Sequence, residues 1–223
     1  MIKNIVFDWS GVISDDFEIV YHTVRSIFQD YNPDPITFSH FQDVVDAPFQ
    51  LYLEKLAVDQ PSIPQKFADH ERTHELFNRY FSHFGPPSPI KGATAIIPKL
   101  HAQKFNMAVF SSHHQHFIEA ENKSFFNGNS YFSTIFGNAG NKLNSIAALI
   151  EKTKFNPKET LYVGDTTNDI EAGKSIGMTT AAVLSGYHMQ EKLEIAKPSF
   201  ILTSVSQLPQ LLSQSIPSQP QDQ

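Results

Sequence analysis

Three aspartates that follow apolar segments are the residues of this chain whose types and spacing suggest chemistry. Asp8 ends the apolar run 5–7, Asp165 follows the run 160–163 and a glycine, and Asp169 comes four residues later. One carboxylate at such a place is often a turn cap, but a second apolar run that ends in the same way favours a shared site. Clustered carboxylates repel one another and need a cation, and their hard oxygens suit Mg²⁺.

The elements that must position these aspartates are short buried strands. Both apolar runs end abruptly in a carboxylate and a turn, and in an open α/β sheet the ligand site lies at the carboxyl ends of the strands. Further strands are predicted over 105–110 and 180–184, with helices over 93–103, 145–154 and 170–176 and a final strand and helix over 200–212. The segment 125–136 is expected to pack at a strand edge.

Two motifs, hhhhDxxG around Asp8 and hhhGDxxxD around Asp165 and Asp169, occur in this order, where h is an apolar residue. Together they resemble the haloacid dehalogenase-like (HAD) hydrolase superfamily, most of whose members are Mg²⁺-dependent phosphatases that work through an aspartyl-phosphate. The resemblance covers residues 2–212. It implies an α/β fold with a Rossmann-like, three-layer α/β/α core on a parallel sheet, and an inserted all-helical cap over the catalytic face.

The resemblance gives roles to the residues of the first and last motifs. Asp8 would be the nucleophile, and Mg²⁺ would be held by Asp8, the backbone carbonyl of Ser10 and Asp165. Asp169 would support the metal through water or orient Lys142. In the family pattern DxDGT, Ser10 stands where the second Asp is expected and Val12 replaces the Thr, so the usual general acid and base is missing.

Substrate contacts are predicted at Ser111, Ser112 and Lys142. Ser111 follows the predicted strand 105–110, where the family places a hydroxyl that binds the phosphoryl group, although a hydroxyl there is also an ordinary helix N-cap. Lys142 matches the lysine that pairs with the nucleophile and the phosphoryl oxygens. The residues His113, His114 and His116 are expected to form a polar first helical turn rather than a metal site.

The domain prediction follows from a change in the spacing of apolar residues after the first strand, from a continuous run to helical spacing. Residues 14–88 form the predicted cap, with apolar side chains at helical spacing over 16–31, 38–45, 49–58 and 65–84. Residues 1–13 and 89–212 form the core domain, and the proline-rich stretch 85–89 is a stiff return to it. The segment 213–223 is poor in apolar residues and is predicted to be a disordered tail.

Composition excludes several partners and settings. A net charge of −6 argues against nucleic acid or an anionic membrane as the main partner, and the nineteen phenylalanines are expected in the core. There is no cysteine, so thiol chemistry and disulfides are unavailable. No leader pattern or long apolar stretch occurs, and a cytoplasmic protein, monomer or homodimer, is the simplest expectation.

Three functions are compatible with these residues. The first is a Mg²⁺-dependent phosphatase of the phosphoglycolate-phosphatase-like kind, acting on a small phosphorylated metabolite, with the acid supplied by Asp15, Asp16, a histidine or the substrate. The second is a phosphonatase-like carbon–phosphorus hydrolase, because DWSG resembles the DWAG of that family. Its Schiff-base lysine has no counterpart, since the cap lysines Lys55 and Lys66 lie elsewhere. The third is a binding protein that keeps the phosphate and metal pocket without efficient turnover.

Overall fold

The computed structural model describes residues 1–29, 36–45 and 70–214. Its central element is a six-stranded parallel sheet in the order β5-β4-β1-β6-β7-β8. The strands are β1 (Asn4–Phe7), β4 (Asn106–Phe110), β5 (Thr134–Phe136), β6 (Thr160–Gly164), β7 (Thr179–Val183) and β8 (Phe200–Leu202). The two strands that carry the aspartates, β1 and β6, are neighbours at the middle of the sheet, with Phe7 opposite Val163.

Both faces of the sheet are buried, which explains why its strands are continuous apolar runs. Ile5 and Phe7 face one side with the helices α4 (Ala93–Ala102), α5 (Gln115–Phe125) and α9 (Leu208–Gln214). Val6 and Tyr162 face the other side, with α6 (Lys142–Thr153) and α7 (Thr167–Ser175), and α8 (Gln190–Ile195) lies beside α7. The core is therefore a three-layer α/β/α structure of Rossmann-like form, as predicted.

The described part of residues 17–83 is mostly helical. It contains α1 (Phe17–Gln29), α2 (Phe38–Val44) and α3 (His70–His83). Their apolar side chains form one buried cluster, which also takes in Tyr187 of the core. The predicted helix 49–58 lies outside the described residues, so the extent of the cap stays a prediction.

The chain crosses between the core and these helices through a two-stranded antiparallel ribbon. Its strands are β2 (Ser14–Asp15) and β3 (Ser88–Pro89), with Ser14 opposite Pro89. The proline-rich return predicted from the sequence therefore pairs with the outgoing chain. This pairing places Asp16, the first residue beyond the ribbon, next to the turn that follows β1.

Several predicted boundaries differ from the structure. Helix α6 begins at Lys142 rather than after it. Helix α7 begins at Thr167, because Thr166 and Asp169 form a capping box at its start. Helix α9 continues to Gln214, two residues into the predicted tail. The stretch 125–136 ends in a short edge strand rather than only packing against one. Among the described helices, none is long and apolar enough to cross a membrane.

Candidate active site

Asp8 is held at the carboxyl end of β1 by the neighbouring strand and by its own turn. Its backbone N–H donates to Val163 O at 2.9 Å, which continues the β1–β6 pairing to the last residue before the turn. Its side chain is 5% exposed, and the backbone N–H of Trp9 donates to Oδ1 at 2.6 Å. The carboxylate is therefore fixed in orientation and faces the edge of the sheet where ligands bind.

Lys142 lies between two of the three aspartates. Its Nζ is 2.6 Å from Asp8 Oδ2 and 2.5 Å from Asp169 Oδ1, and the side chain is 1% exposed. As the first residue of α6, it reaches the site from the layer of helices below the sheet. The structure therefore brings the predicted lysine and the predicted nucleophile into direct contact.

Asp165 and Asp169 follow the same strand but have different surroundings. Asp169 Oδ2 accepts hydrogen bonds from the backbone N–H groups of Asp165 and Thr166 and from the Thr166 hydroxyl, and Oδ1 accepts one from the Tyr162 hydroxyl. Asp165 Oδ2 accepts one from the backbone N–H of Tyr187 at 2.7 Å. Asp165 Oδ1 is buried and has no hydrogen-bond partner in the described chain.

The pKa values of the three aspartates depend on their burial and on the position of the Lys142 ammonium group. Burial raises the pKa of Asp8, although Lys142 opposes that rise. Burial, Asp8 and Asp169 together raise the pKa of Asp165 well above its usual value. Burial would also raise the pKa of Asp169, but Lys142 and the hydrogen bonds from Thr166 hold it below its usual value. Lys142 stays charged, because Asp169 and Asp8 outweigh the effect of burial and raise its pKa.

These carboxylates fit a divalent cation. Asp8, Asp165 and Asp169 each have an oxygen within 4.8 Å of one of the others, and their charges exceed that of Lys142. The unpartnered Asp165 Oδ1 is an oxygen that a cation would satisfy. Added Cβ atoms at Gly11 and Gly186 would lie 2.3 and 2.1 Å from Asp165 Oδ2, so backbone approaches this carboxylate at places where no side chain fits. Asp169 already accepts several hydrogen bonds, which suits it to orienting Lys142.

Ser111 and Ser112 have different environments. Ser111 is 1% exposed, and its hydroxyl, which accepts from the backbone N–H of His113 at 3.2 Å, lies close enough to Asp8 to lower the pKa of that carboxyl. It is not a helix N-cap, because α5 begins at Gln115 after His114. The Ser112 hydroxyl donates to Gly140 O at 2.7 Å, which ties its loop to the segment before Lys142. Of the three histidines predicted to form the first helical turn, only His116 lies in α5, because His114 is the N-cap residue of this helix and His113 precedes it.

Ser10 contacts a buried acid that the sequence left as one of several possibilities. Its hydroxyl donates to Asp16 Oδ2 at 2.6 Å, and the Tyr187 hydroxyl donates to Asp16 Oδ1 at 3.0 Å. Burial raises the pKa of Asp16 to about 6, although His113, Ser10 and Tyr187 oppose that rise. Asp15 points away from this network, since it is exposed.

Comparison with known proteins decides the family. The sequence pattern of the haloacid dehalogenase-like hydrolases matches residues 5–183. The chain belongs to this family. This HAD-like hydrolase is 22% identical to a phosphoglycolate phosphatase of Synechococcus elongatus, over 96% of this chain and 98% of that protein. It is 28% identical to a phosphoglycolate phosphatase of Aquifex aeolicus, over 96% and 99%.

Solved structures agree on the fold. The HAD-like hydrolase is similar to the crystal structure of a predicted phosphoglycolate phosphatase from Haemophilus somnus, with a TM-score of 0.78 and 19% identity. The similarity covers 95% of this chain and 98% of that one. The predicted membership of the HAD superfamily, with a phosphoglycolate-phosphatase-like chain and an α/β core, is confirmed, and the protein is a hydrolase.

Sequence reasoning missed several residues that contact the site of this hydrolase. Tyr187 follows Gly186 after β7, and nothing in that segment indicates contact with both Asp165 and Asp16. The sequence around Tyr162 indicates only a strand, although the Tyr162 hydroxyl donates to Asp169 Oδ1. The spacing of Thr166 and Asp169 is a recognisable capping box and could have been found. Lys55 and Lys66, the cap lysines of the phosphonatase alternative, lie outside the described residues.

Proposed function

We propose that this HAD-like hydrolase is a Mg²⁺-dependent phosphatase that cleaves a small phosphorylated metabolite through an aspartyl-phosphate on Asp8. The observation that carries the proposal is the buried contact of Asp8 with Lys142, beside Ser111 and the partly unsatisfied Asp165. A nucleophilic carboxylate next to an ammonium, a hydroxyl and a cation-binding acid is the arrangement that phosphoryl transfer requires.

The chain's own residues supply positioning and charge for the first step. An oxygen of Asp8 attacks phosphorus while the bond from phosphorus to the leaving oxygen breaks. The Trp9 backbone N–H and Lys142 hold the carboxylate in place. Lys142 and Ser111 would contact the equatorial phosphoryl oxygens. Attack of water on the aspartyl-phosphate then releases phosphate and restores Asp8.

Asp8, Asp165 and the backbone carbonyl of Ser10 would hold Mg²⁺, and Asp169 would support the site by orienting Lys142. A bound Mg²⁺ would offset the negative charge of the phosphoryl group and of the carboxylates around it. The electrostatics of the described residues support this assignment, because one ammonium group faces three buried carboxylates.

The leaving-group side of the site differs from this arrangement. Serine has a pKa far above 7, so Ser10 cannot protonate a leaving alkoxide, and loss of a positioned acid typically costs about 10²- to 10⁴-fold in rate. Asp16 and Tyr187 fix the orientation of the Ser10 hydroxyl. We therefore expect efficient turnover of esters whose leaving group needs little protonation, and slow turnover of ordinary alkyl phosphates.

A second candidate is a binding protein with the same pocket. The observation that favours it is the absence of a carboxylic acid at position 10, together with the tight pairing of Lys142 with both Asp8 and Asp169. Such a protein would bind Mg²⁺ and phosphate with negligible hydrolysis. Location in the cytoplasm and a monomeric or homodimeric state remain predictions.

Steady-state hydrolysis of p-nitrophenyl phosphate, with and without Mg²⁺, tests the proposal. The aryl leaving group hardly needs protonation, so this substrate tests the nucleophile separately from the acid. We expect turnover that requires Mg²⁺ and that is lost in Asp8→Asn, with Asp15→Asn as the matched exposed control. Bound Mg²⁺ without turnover of any phosphate ester would overturn the phosphatase proposal and leave the binding protein.

A further inference from the structure

The turn that carries the nucleophile is attached to the helix α5 by one buried hydrogen bond. Trp9 lies between Asp8 and Ser10 and is fully buried, and its indole Nε1–H donates to Glu121 Oε2 at 2.6 Å. The indole also stacks on Phe125 of the same helix, with ring centroids 6.0 Å apart. Glu121 is 5% exposed, so its contact with the indole is shielded from water.

Trp9 organises the turn through its backbone as well. Its carbonyl accepts hydrogen bonds from the N–H groups of Val12, Ile13 and Ser14, at 3.3, 2.8 and 2.9 Å. Its own N–H donates to Asp8 Oδ1. A shift of Trp9 would therefore move the nucleophile, the Ser10 hydroxyl and the start of the ribbon formed by β2 and β3.

The other side of Glu121 faces a buried histidine. Its Oε1 lies 3.7 Å from His113 Nε2, and neither atom has a hydrogen-bond partner in the described part of the chain. The His113 ring packs between Phe117 of α5 and Phe81 of the cap helix α3, at centroid distances of 5.5 and 5.3 Å. No step of the proposed reaction uses Glu121, although burying a carboxylate away from water is costly.

We propose that Glu121 is a positioning residue for the nucleophile, which it holds in place through the indole of Trp9. The carboxylate fixes the indole, the backbone of Trp9 fixes the turn, and the turn fixes the oxygen of Asp8 that attacks. His113 extends this contact to Phe81, so the turn is also linked to the cap. The inference rests on the proposed function, because it assigns Asp8 as the attacking group.

The test compares Glu121→Leu and Glu121→Gln with Glu119→Leu, a control at an exposed position of the same helix. For p-nitrophenyl phosphate with Mg²⁺ we expect kcat of Glu121→Leu to fall by about 10- to 10²-fold, because a small misplacement of a reacting group lowers the rate by a factor of this size. KM should change little, because phosphate contacts are untouched. Glu121→Gln should keep most of kcat, because its amide oxygen still accepts from the indole.

Trp9→Phe removes the donor and keeps a stacked ring, and it serves if Glu121→Leu does not fold. It should lose kcat as Glu121→Leu does, and the double variant should lose no more than either single one, since both remove the same contact. Wild-type kcat in Trp9→Phe or in Glu121→Leu would overturn the inference. Equal losses in Glu121→Leu and Glu121→Gln, or additive losses in the double variant, would do the same.

A second readout does not depend on turnover. Trp9 is the single tryptophan of the chain, so its fluorescence reports on this turn alone. Titration with Mg²⁺ and inorganic phosphate should change the emission of wild type and Glu121→Gln, and should change that of Glu121→Leu much less. If wild type hydrolyses nothing, the proposed function fails, and this titration still tests the structural half of the inference, that Glu121 fixes the turn of Asp8 through Trp9. An undiminished response in Glu121→Leu overturns that half whether or not the protein turns over.

Discussion

The two sides of the nucleophile differ in how their polar groups are arranged. On one side, Lys142 is bound to Asp8 and to Asp169 Oδ1. Tyr162 also donates to Asp169 Oδ1, and Thr166 donates to Oδ2. On the other side, Ser10 presents a hydroxyl whose nearest acid, Asp16, lies behind it and is bound also to Tyr187. In the proposed reaction the first side supplies the groups that attack on phosphorus needs, and the second side offers the Ser10 hydroxyl where the leaving group would need an acid.

The two halves of the proposed reaction, attack on phosphorus and departure of the leaving group, therefore depend on different residues. The attacking half depends on charges, and each charged group has a buried partner that fixes it. In the proposed reaction the leaving-group half depends on a proton donor, and we expect the oriented Ser10 hydroxyl to be a poor replacement for one. Changes on the Lys142 side should therefore affect all substrates, whereas changes on the Ser10 side should depend on the leaving group.

The largest effect is expected for Lys142→Met. Loss of the ammonium removes a phosphoryl contact and leaves three buried carboxylates facing one another, so turnover of every substrate should fall by about 10³-fold. Breaking a buried ion pair should also lower the free energy of unfolding by about 3 to 5 kcal/mol. Steady-state kinetics and denaturant unfolding measure the two effects.

Lys152→Met, at an exposed position of the same helix, is the matched control and should keep wild-type turnover. Its free energy of unfolding should fall by at most about 1 kcal/mol, because the Lys152 ammonium lies over the Phe136 ring. A Lys142→Met protein with ordinary turnover of p-nitrophenyl phosphate would mean that the pairing with Asp8 is structural only. The contrast between the two sides of the site would then lose its basis.

Asp165→Asn should abolish stabilisation by Mg²⁺. A ligand that binds only the folded state at a hundred times its Kd adds about 2.7 kcal/mol to the free energy of unfolding, and we expect a rise of this kind in wild type. The variant should show no such rise in the free energy of unfolding. Without Mg²⁺ it should be at least as stable as wild type, because the substitution removes one buried carboxylate from a cluster of carboxylates that repel one another.

Thermal unfolding with and without Mg²⁺ measures this, with Asp43→Asn as an exposed control. An unchanged response to Mg²⁺ in Asp165→Asn would place the cation elsewhere. It would also leave the unpartnered Asp165 Oδ1 without an explanation.

The smallest effect is expected for Tyr187→Phe. The change removes one hydrogen bond to Asp16, so stability should fall by about 1 to 3 kcal/mol, and turnover of alkyl esters should fall severalfold as the Ser10 hydroxyl loses its fixed orientation. Tyr21→Phe is the matched control, since Tyr21 belongs to the same apolar cluster and its hydroxyl donates to Ile36 O rather than to Asp16. Equal losses of turnover in the two variants would show that Tyr187 acts only through stability.

Much of the fold could be predicted because the strands are uninterrupted apolar runs that end in conspicuous residues. The runs before Asp8, Ser111 and Asp165 gave strands β1, β4 and β6 within one residue at each end. Helix starts are harder to predict, because α6 and α7 each begin three residues earlier than their apolar spacing indicates. Side-chain and backbone hydrogen bonds at the first turn decide such starts, and apolar periodicity does not report them.

The candidate site could be predicted only as far as its motifs extend. Asp8 and Asp169 come together because the carboxyl ends of β1 and β6 are neighbours at one edge of the sheet, and Lys142 joins them from the first turn of α6. Tyr187, Glu121 and the side-chain partner of Ser10 could not be found, since their contacts join segments that are distant in sequence and follow no fixed spacing. The choice of Asp16 over Asp15 depends on which of two adjacent side chains faces inward.

The most direct test of the account is the dependence of kcat/KM on the leaving group, from p-nitrophenyl phosphate to simple alkyl phosphates. Wild type, Ser10→Asp and the matched variant Ser10→Asn, which adds size without an acid, are compared with Mg²⁺ present. We predict a steep dependence in wild type and in Ser10→Asn, and a gain of about 10²-fold for alkyl esters in Ser10→Asp, since a positioned acid contributes at least that much. Equal rates for aryl and alkyl esters in wild type would show that a proton donor already serves the leaving group, and would contradict the account.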